Sequence, residues 1–167
     1  MDTRFEVVMD ELLAELRGVC NDALPSVERK PYFAMLTFPP APGAEYAFFA
    51  CVHDDNTLEV GARPLEGAAE ALFWDRKFEP IDYGSYQEML ARFKRELLAV
   101  LSNETVIVQF KGWLCWNFVC EVLSESETIR LQGVSTLRPA RAPLCRGRRR
   151  TYHSSAVCSR LDRRLDG

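Results

Sequence analysis

Apolar residues recur at Phe5, Val8, Met9, Leu12, Leu13, Leu16 and Val19, with Asp10, Glu11 and Glu15 between them. This is the three-and-four spacing of one helical face, and it predicts a first helix over about residues 3–20. Asp22, Pro25 and the charged Glu28, Arg29 and Lys30 read as a connection, because proline removes a backbone donor and restricts the residue before it. Residues 32–38 are aromatic and apolar between Pro31 and the Pro39-Pro40 pair, which predicts a strand. Segments 45–53 and 57–62 flank Asp54, Asp55 and Asn56, residues that favour turns, so they predict a hairpin.

Residues 67–83 support two readings: Ala68 to Leu72 suit a helix, whereas Phe73, Trp74, Phe78 and Ile81 suit a strand or a packed loop. Ser85 and Glu88 then form a capping box, and Tyr86, Met89, Leu90, Phe93, Leu97, Val100 and Leu101 keep helical spacing behind it. A second amphipathic helix of about 17 residues follows from that period. Segments 105–110 and 113–122 are β-branched and aromatic, and Lys111-Gly112 between them suits a two-residue hairpin loop. Such a loop sets Phe110 opposite Trp113, Val108 opposite Cys115 and Ile107 opposite Trp116, giving a strand pair apolar on both faces, central in a sheet or at an interface. Segment 129–137 is a candidate last strand. From Arg138 onward the periodicity stops, and a disordered tail is expected. The order predicts an α+β fold: two amphipathic helices on a largely antiparallel sheet of about five or six strands, one domain over 1–137 and an Arg-rich tail over 138–167.

Length agrees with one core, since 167 residues is a single domain's allotment. Apolar residues at 47% and charged residues at 27% exclude a wholly disordered, collagen-like or coiled-coil chain. There is no run of about 18 apolar residues, and five acidic residues interrupt the first twenty positions where a secretory signal needs an apolar stretch, so the cytoplasm is the expected compartment. The charge is uneven. Residues 1–137 carry 12 Lys+Arg against 22 Asp+Glu, net −10, while the tail carries nine Arg against two Asp, net +7. An acidic body repels nucleic acid and anionic membrane and speeds association with a basic partner. Cys20, Cys51, Cys115 and Cys120 lie within apolar helix or strand patterns and are expected as reduced, buried thiols, with Cys145 and Cys158 in the tail.

Little catalytic chemistry is on offer. Only His53 and His153 exist, which leaves a triad or a His-rich metal site almost nothing to draw on. Cys51 and His53 share a strand face with Asp54 and Asp55 following, the one set from which a nucleophile and base could be drawn. Asp54-Asp55-Asn56 lacks the spacing of a calcium loop, carboxylate pairs such as Glu66 with Glu70 or Glu125 with Glu127 read as solvated faces, and the glycines form no phosphate loop. Phe73, Trp74, Phe78, Tyr83, Trp113, Trp116 and Phe118 are core by default, but a tryptophan patch ringed by carboxylates would anchor a basic protein surface. The tail reads as an accessory or non-native extension ahead of a nucleic-acid grip.

The segment Phe73-Trp74-Asp75-Arg76-Lys77-Phe78-Glu79, the capped helix from Ser85, and residues 105–116 together resemble the small acidic immunity proteins of bacterial polymorphic or contact-dependent toxin systems, over residues 5–122. The resemblance rests on layout and aromatic placement. It implies a stoichiometric inhibitor of a cognate toxin domain, with no catalysis, cofactor or metal of its own. Trp74, Asp75, Glu79, Asp82, Trp113 and Trp116 are the expected partner contacts. Two alternatives stand beside it: an acidic chaperone similar to those of type III secretion, although in that family a long helix closes the domain, and an enzyme using Cys51 and His53.

Overall fold

The computed structural model describes residues 4–20, 23–65, 74–111, 115–124, 127–133, 136–137 and 150–158. Among them the chain runs α1 (Arg4–Val19), β1 (Ser26–Lys30), β2 (Phe33–Thr37), β3 (Tyr46–His53), β4 (Leu58–Pro64), β5 (Trp74–Phe78), a 3-10 turn (Pro80–Asp82), α2 (Tyr86–Ser102), β6 (Glu104–Lys111), β7 (Cys115–Leu123), β8 (Thr128–Gln132), β9 (Thr136–Leu137) and β10 (Arg150–Ser154). The α+β class stands. The single sheet does not: β1 to β5 form an antiparallel meander in sequence order, and a second antiparallel sheet runs β10-β6-β7-β8, with β9 also on β7. The break falls at α2, which carries the chain away from the edge strand β5 before β6 starts the second sheet.

Alternation along the strands builds the core. Ala34 and Leu36 of β2, Phe48, Ala50 and Val52 of β3 and Leu58, Val60 and Ala62 of β4 project to one face, as period-two geometry requires. Val8, Met9, Leu12 and Leu16 of α1 and Met89, Phe93, Leu97 and Val100 of α2 cover that face, and Ile107, Phe118, Cys120 and Val122 close the same core from the second sheet. The Ser85 N-cap forms as predicted. Ser85 is extended, and its Oγ accepts from the Glu88 N–H at 3.1 Å. Ser85→Ala should lower stability by about 1 kcal/mol in urea unfolding, the usual worth of such a cap; an unchanged midpoint would show that tertiary packing alone sets the start of α2.

Four expectations are corrected. Residues 26–30, read as a connection, are an edge strand in register with β2. All five are exposed, so β1 carries no alternation to read, and its charges discourage further strands from adding there. In the β6/β7 hairpin Phe110 pairs with Asn117, Val108 with Val119 and Ile107 with Cys120, in place of Trp113, Cys115 and Trp116. The pairing is thus shifted by four residues, an even number that keeps each side chain on its expected face. Part of the expected disordered tail is ordered: β10 pairs with β6 from Arg150↔Gln109 to Ser154↔Thr105. Cys20, expected as a thiol, forms a disulfide with Cys158. Both corrections share a cause, since β10 and Cys158 are ordered by β6, the carbonyl of Leu101 and Cys20, all remote in sequence.

Candidate functional site

Polar side chains collect on the outer face of the first sheet. Period-two alternation puts Cys51 and His53 of β3, Glu59 and Arg63 of β4, and Asp75 and Lys77 of β5 on the face opposite the helices. Cys51 lies across from Glu59, and Glu59 across from Lys77. Phe33, Met35, Phe49 and Cys51 make a small second apolar cluster here, with the Arg63 guanidinium 4.6 Å from the Phe49 ring centroid. Gly61 admits the Phe49 ring, because a Cβ at that position would collide with it. His53 Nε2 sits 3.2 Å from Glu59 Oε2, and Glu59 lies close enough to Asp75 for its charge to act on the Asp75 carboxyl. A row of titratable groups therefore crosses three strands.

Asp75 is only 3% exposed, and its Oδ1 is buried with no hydrogen-bond partner among the described residues. Its carboxyl is pushed up to about 6, first by burial, then by the charge of Glu59, while Lys77 pulls it down. The native state thus holds this proton more tightly than the unfolded chain. Its contribution to stability is present at acid pH and is lost as pH rises from the ordinary carboxyl value through about 6. Asp75→Asn, which resembles the protonated acid, should raise the melting temperature at pH 8 and flatten the decline between pH 4 and 7. At about 1.4 kcal/mol per pKa unit the gain is at most roughly 3 kcal/mol. Melting curves that stay parallel for wild type and variant across this range would show that Asp75 holds its proton no more tightly in the folded protein than in the unfolded chain.

The Cys51, His53 and Asp55 set is only partly assembled. Cys51 and His53 do share a face, but Asp55 turns back to accept from the Thr57 N–H at 2.8 Å, which lowers its pKa and keeps it out of the row. Burial, followed by the Glu59 charge, pushes the Cys51 thiol up to about 12. A thiol that keeps its proton at neutral pH is a poor nucleophile. Glu59, which the strand pattern did not single out, is the true partner of His53. The available signal was its position between Leu58 and Val60, a carboxylate inserted in an apolar strand, and its meaning depends on which strands lie to either side.

Of the six expected contact residues, the four whose side chains are described do not form one surface patch. Trp74 is fully buried, its indole N–H donating to the Leu131 carbonyl at 3.3 Å, so it is a core residue and not a surface anchor. Asp75 is enclosed in the acid row. Glu79 is exposed just before the 3-10 turn, and Asp82 is exposed as its last residue. Trp113 lies outside the described residues, and so does the side chain of Trp116. Of the wider aromatic set, Phe78 and Phe118 are also core. No family model, curated protein or solved structure matches the chain. Function must then be read from the residues themselves.

One exposed feature combines apolar surface with charge. Ile81 is 87% exposed at the middle of the turn, between exposed Glu79 and Asp82. The turn is stiff: Pro80 fixes its own φ, the Asp82 N–H donates to Glu79 O at 3.0 Å, and the Tyr83 N–H to Pro80 O at 3.4 Å. Behind it Tyr83 stacks on Phe78, and Phe78 meets Phe93 of α2 edge-on. Glu96 of α2, 4% exposed, pairs with Arg76 at 2.5 Å and Arg92 at 2.8 Å and so ties β5 to the helix. The apolar tip stands on a rigid base.

Proposed function

We propose that this chain is a non-enzymatic protein-binding module of the immunity-protein kind, which binds a basic toxin domain and blocks it. The observation that carries the reading is Ile81, an apolar tip held out by a stiff turn between two carboxylates. Single exposed aliphatic residues are ordinary on protein surfaces, but preorganisation lowers the entropic cost of binding through one. The flanking charges and the −10 of residues 1–137 supply attraction for a basic surface, an effect on encounter rate more than on affinity. Burial of Trp74 moves the expected contact from the indole to the turn that follows it. We place the protein in the cytoplasm; among the described residues no helix is long and apolar enough to cross a membrane.

The test is binding to the product of the neighbouring reading frame, followed by biolayer interferometry at several salt concentrations. Nanomolar, salt-sensitive binding is expected. Glu79→Lys with Asp82→Lys should slow association about tenfold, and Ile81→Ala should speed dissociation. Absence of any complex with that product removes the reading, and a complex indifferent to all three substitutions removes the turn from it.

A further inference from the structure

We propose that the β6 edge is a docking site for an extended, basic peptide segment of the partner, and that the chain's own C-terminal strand fills this site as a tethered competitor. The inference rests on the protein-binding reading above and names the segment that would be bound. Strand β10 covers the free edge of β6 over five residues, Arg150↔Gln109 to Ser154↔Thr105. A strand added to an edge gains affinity from its backbone and specificity from alternate side chains. Here the alternate side chains are Tyr152, half-buried with its hydroxyl donating to Gln109 Oε1 at 3.4 Å, and Ser154, buried opposite Thr105. On the other margin of β10, the Glu45 N–H donates to His153 O at 3.2 Å, and the His153 N–H donates to Glu45 Oε2 at 2.8 Å. The slot between Glu45 and β6 is thus built to take one strand.

Charge says what kind of strand. The segment in the slot belongs to a tail of net +7 and follows Arg146, Arg148 and Arg149, whereas the body that holds it is net −10. An inward aromatic, a small polar residue two positions later and arginines on the N-terminal side define the recognised class. For a partner segment to dock here, the occupant must leave once its tether is cut. Beyond its pairing and the two Glu45 hydrogen bonds, this segment is held by packing of Tyr152, Val157 and Cys158 on the core, by the Val157 and Cys158 N–H groups, both on the Leu101 carbonyl, and by the Cys20–Cys158 disulfide. Cys20 and Cys158 are 1% and 2% exposed, so a thiol can reach the bond only when this segment opens. A dithiol reductant would be oxidised to its own disulfide as Cys20 and Cys158 become thiols, which leaves the strand untethered. A disulfide in the cytoplasm is expected to be transient in this way.

A fluorescent synthetic peptide with the sequence of residues 148–157 is the probe, titrated by anisotropy into the oxidised full chain, the same chain treated with dithiothreitol, and Cys158→Ser. Binding should be at least tenfold tighter to the reduced chain and to Cys158→Ser than to the oxidised chain, and should weaken with salt. A peptide carrying N-methyl groups on alternate backbone nitrogens should not bind. Near-UV circular dichroism reports whether the untethered forms stay folded; where they do not, Tyr152→Ala with the disulfide intact serves instead, with the same expectation. Equal affinity across these states, or equal binding of the methylated peptide, overturns the proposal. If the product of the neighbouring frame binds the oxidised chain as tightly as it binds Cys158→Ser, the edge is not its site and the protein-binding reading survives. If the peptide docks as expected and that product does not bind, the edge stands and the reading falls.

Discussion

Trp74→Ala should destabilise the protein by about 3–5 kcal/mol, the range for an aromatic side chain deleted from a core. Trp74 is fully buried at the start of β5, paired with Ala62 of β4, and its indole N–H reaches the Leu131 carbonyl of β8. It therefore joins the outer strand of the first sheet to the outer strand of the second. Gly133, just beyond β8, has no Cβ because one would collide with this indole, and its own N–H donates to Phe118 O at 3.0 Å. The substitution removes apolar contacts, opens a cavity and leaves a carbonyl without its donor. Trp74→Phe keeps most of the ring and loses the hydrogen bond, so a smaller loss of about 1–2 kcal/mol is expected. Equilibrium denaturation followed by far-UV circular dichroism decides the matter. A loss below 1 kcal/mol for the alanine variant would mean that the seam between the sheets is held by other groups, such as the Arg76 guanidinium on Gln132 O.

Breaking the Cys20–Cys158 bond should cost more. The two residues are 138 positions apart, and closing so long a loop in the unfolded chain corresponds to about 5 kcal/mol in the chain-entropy model. Cys20→Ser, Cys158→Ser and the double variant should all lose nearly the same amount, because each removes the same constraint. A double variant much worse than either single would show instead that the sulfurs matter through packing, both being buried. Denaturant midpoints with and without reductant give the same quantity without mutation. An unchanged midpoint would show that strain in the native state, or structure left in the unfolded chain, offsets the loop-closure entropy.

The helices were legible because their signals are local. The face from Phe5 to Leu16 and the Ser85 cap each lie within a few turns of chain, and both appear where the pattern puts them. The turn at Asn56 was equally local: φ is +67° there, a conformation that asparagine tolerates better than most residues. Strand β1 was missed because five exposed residues show no alternation, and β10 because pairing with β6, more than 40 residues earlier in the chain, orders a segment with no apolar period of its own. The candidate sites divide in the same way. Glu79 and Asp82 could be named as contacts from the sequence, although the form of the segment that holds them was left open, while Glu59, Asp75 and His53 become neighbours only through the register of β3, β4 and β5.

What the sequence alone determined is the two helices and the more strongly patterned strands, β2, β3, β4, β6 and β7, since periods of 3.6 and 2 are properties of a short stretch of backbone. Tertiary structure decided which sheet each strand joins, that Trp74 faces the core, that two carboxylates meet beneath a histidine, and that Cys20 finds Cys158. Those outcomes depend on contacts between residues far apart in the chain, whose free energies are settled by pairing and burial together and leave no mark on the local pattern.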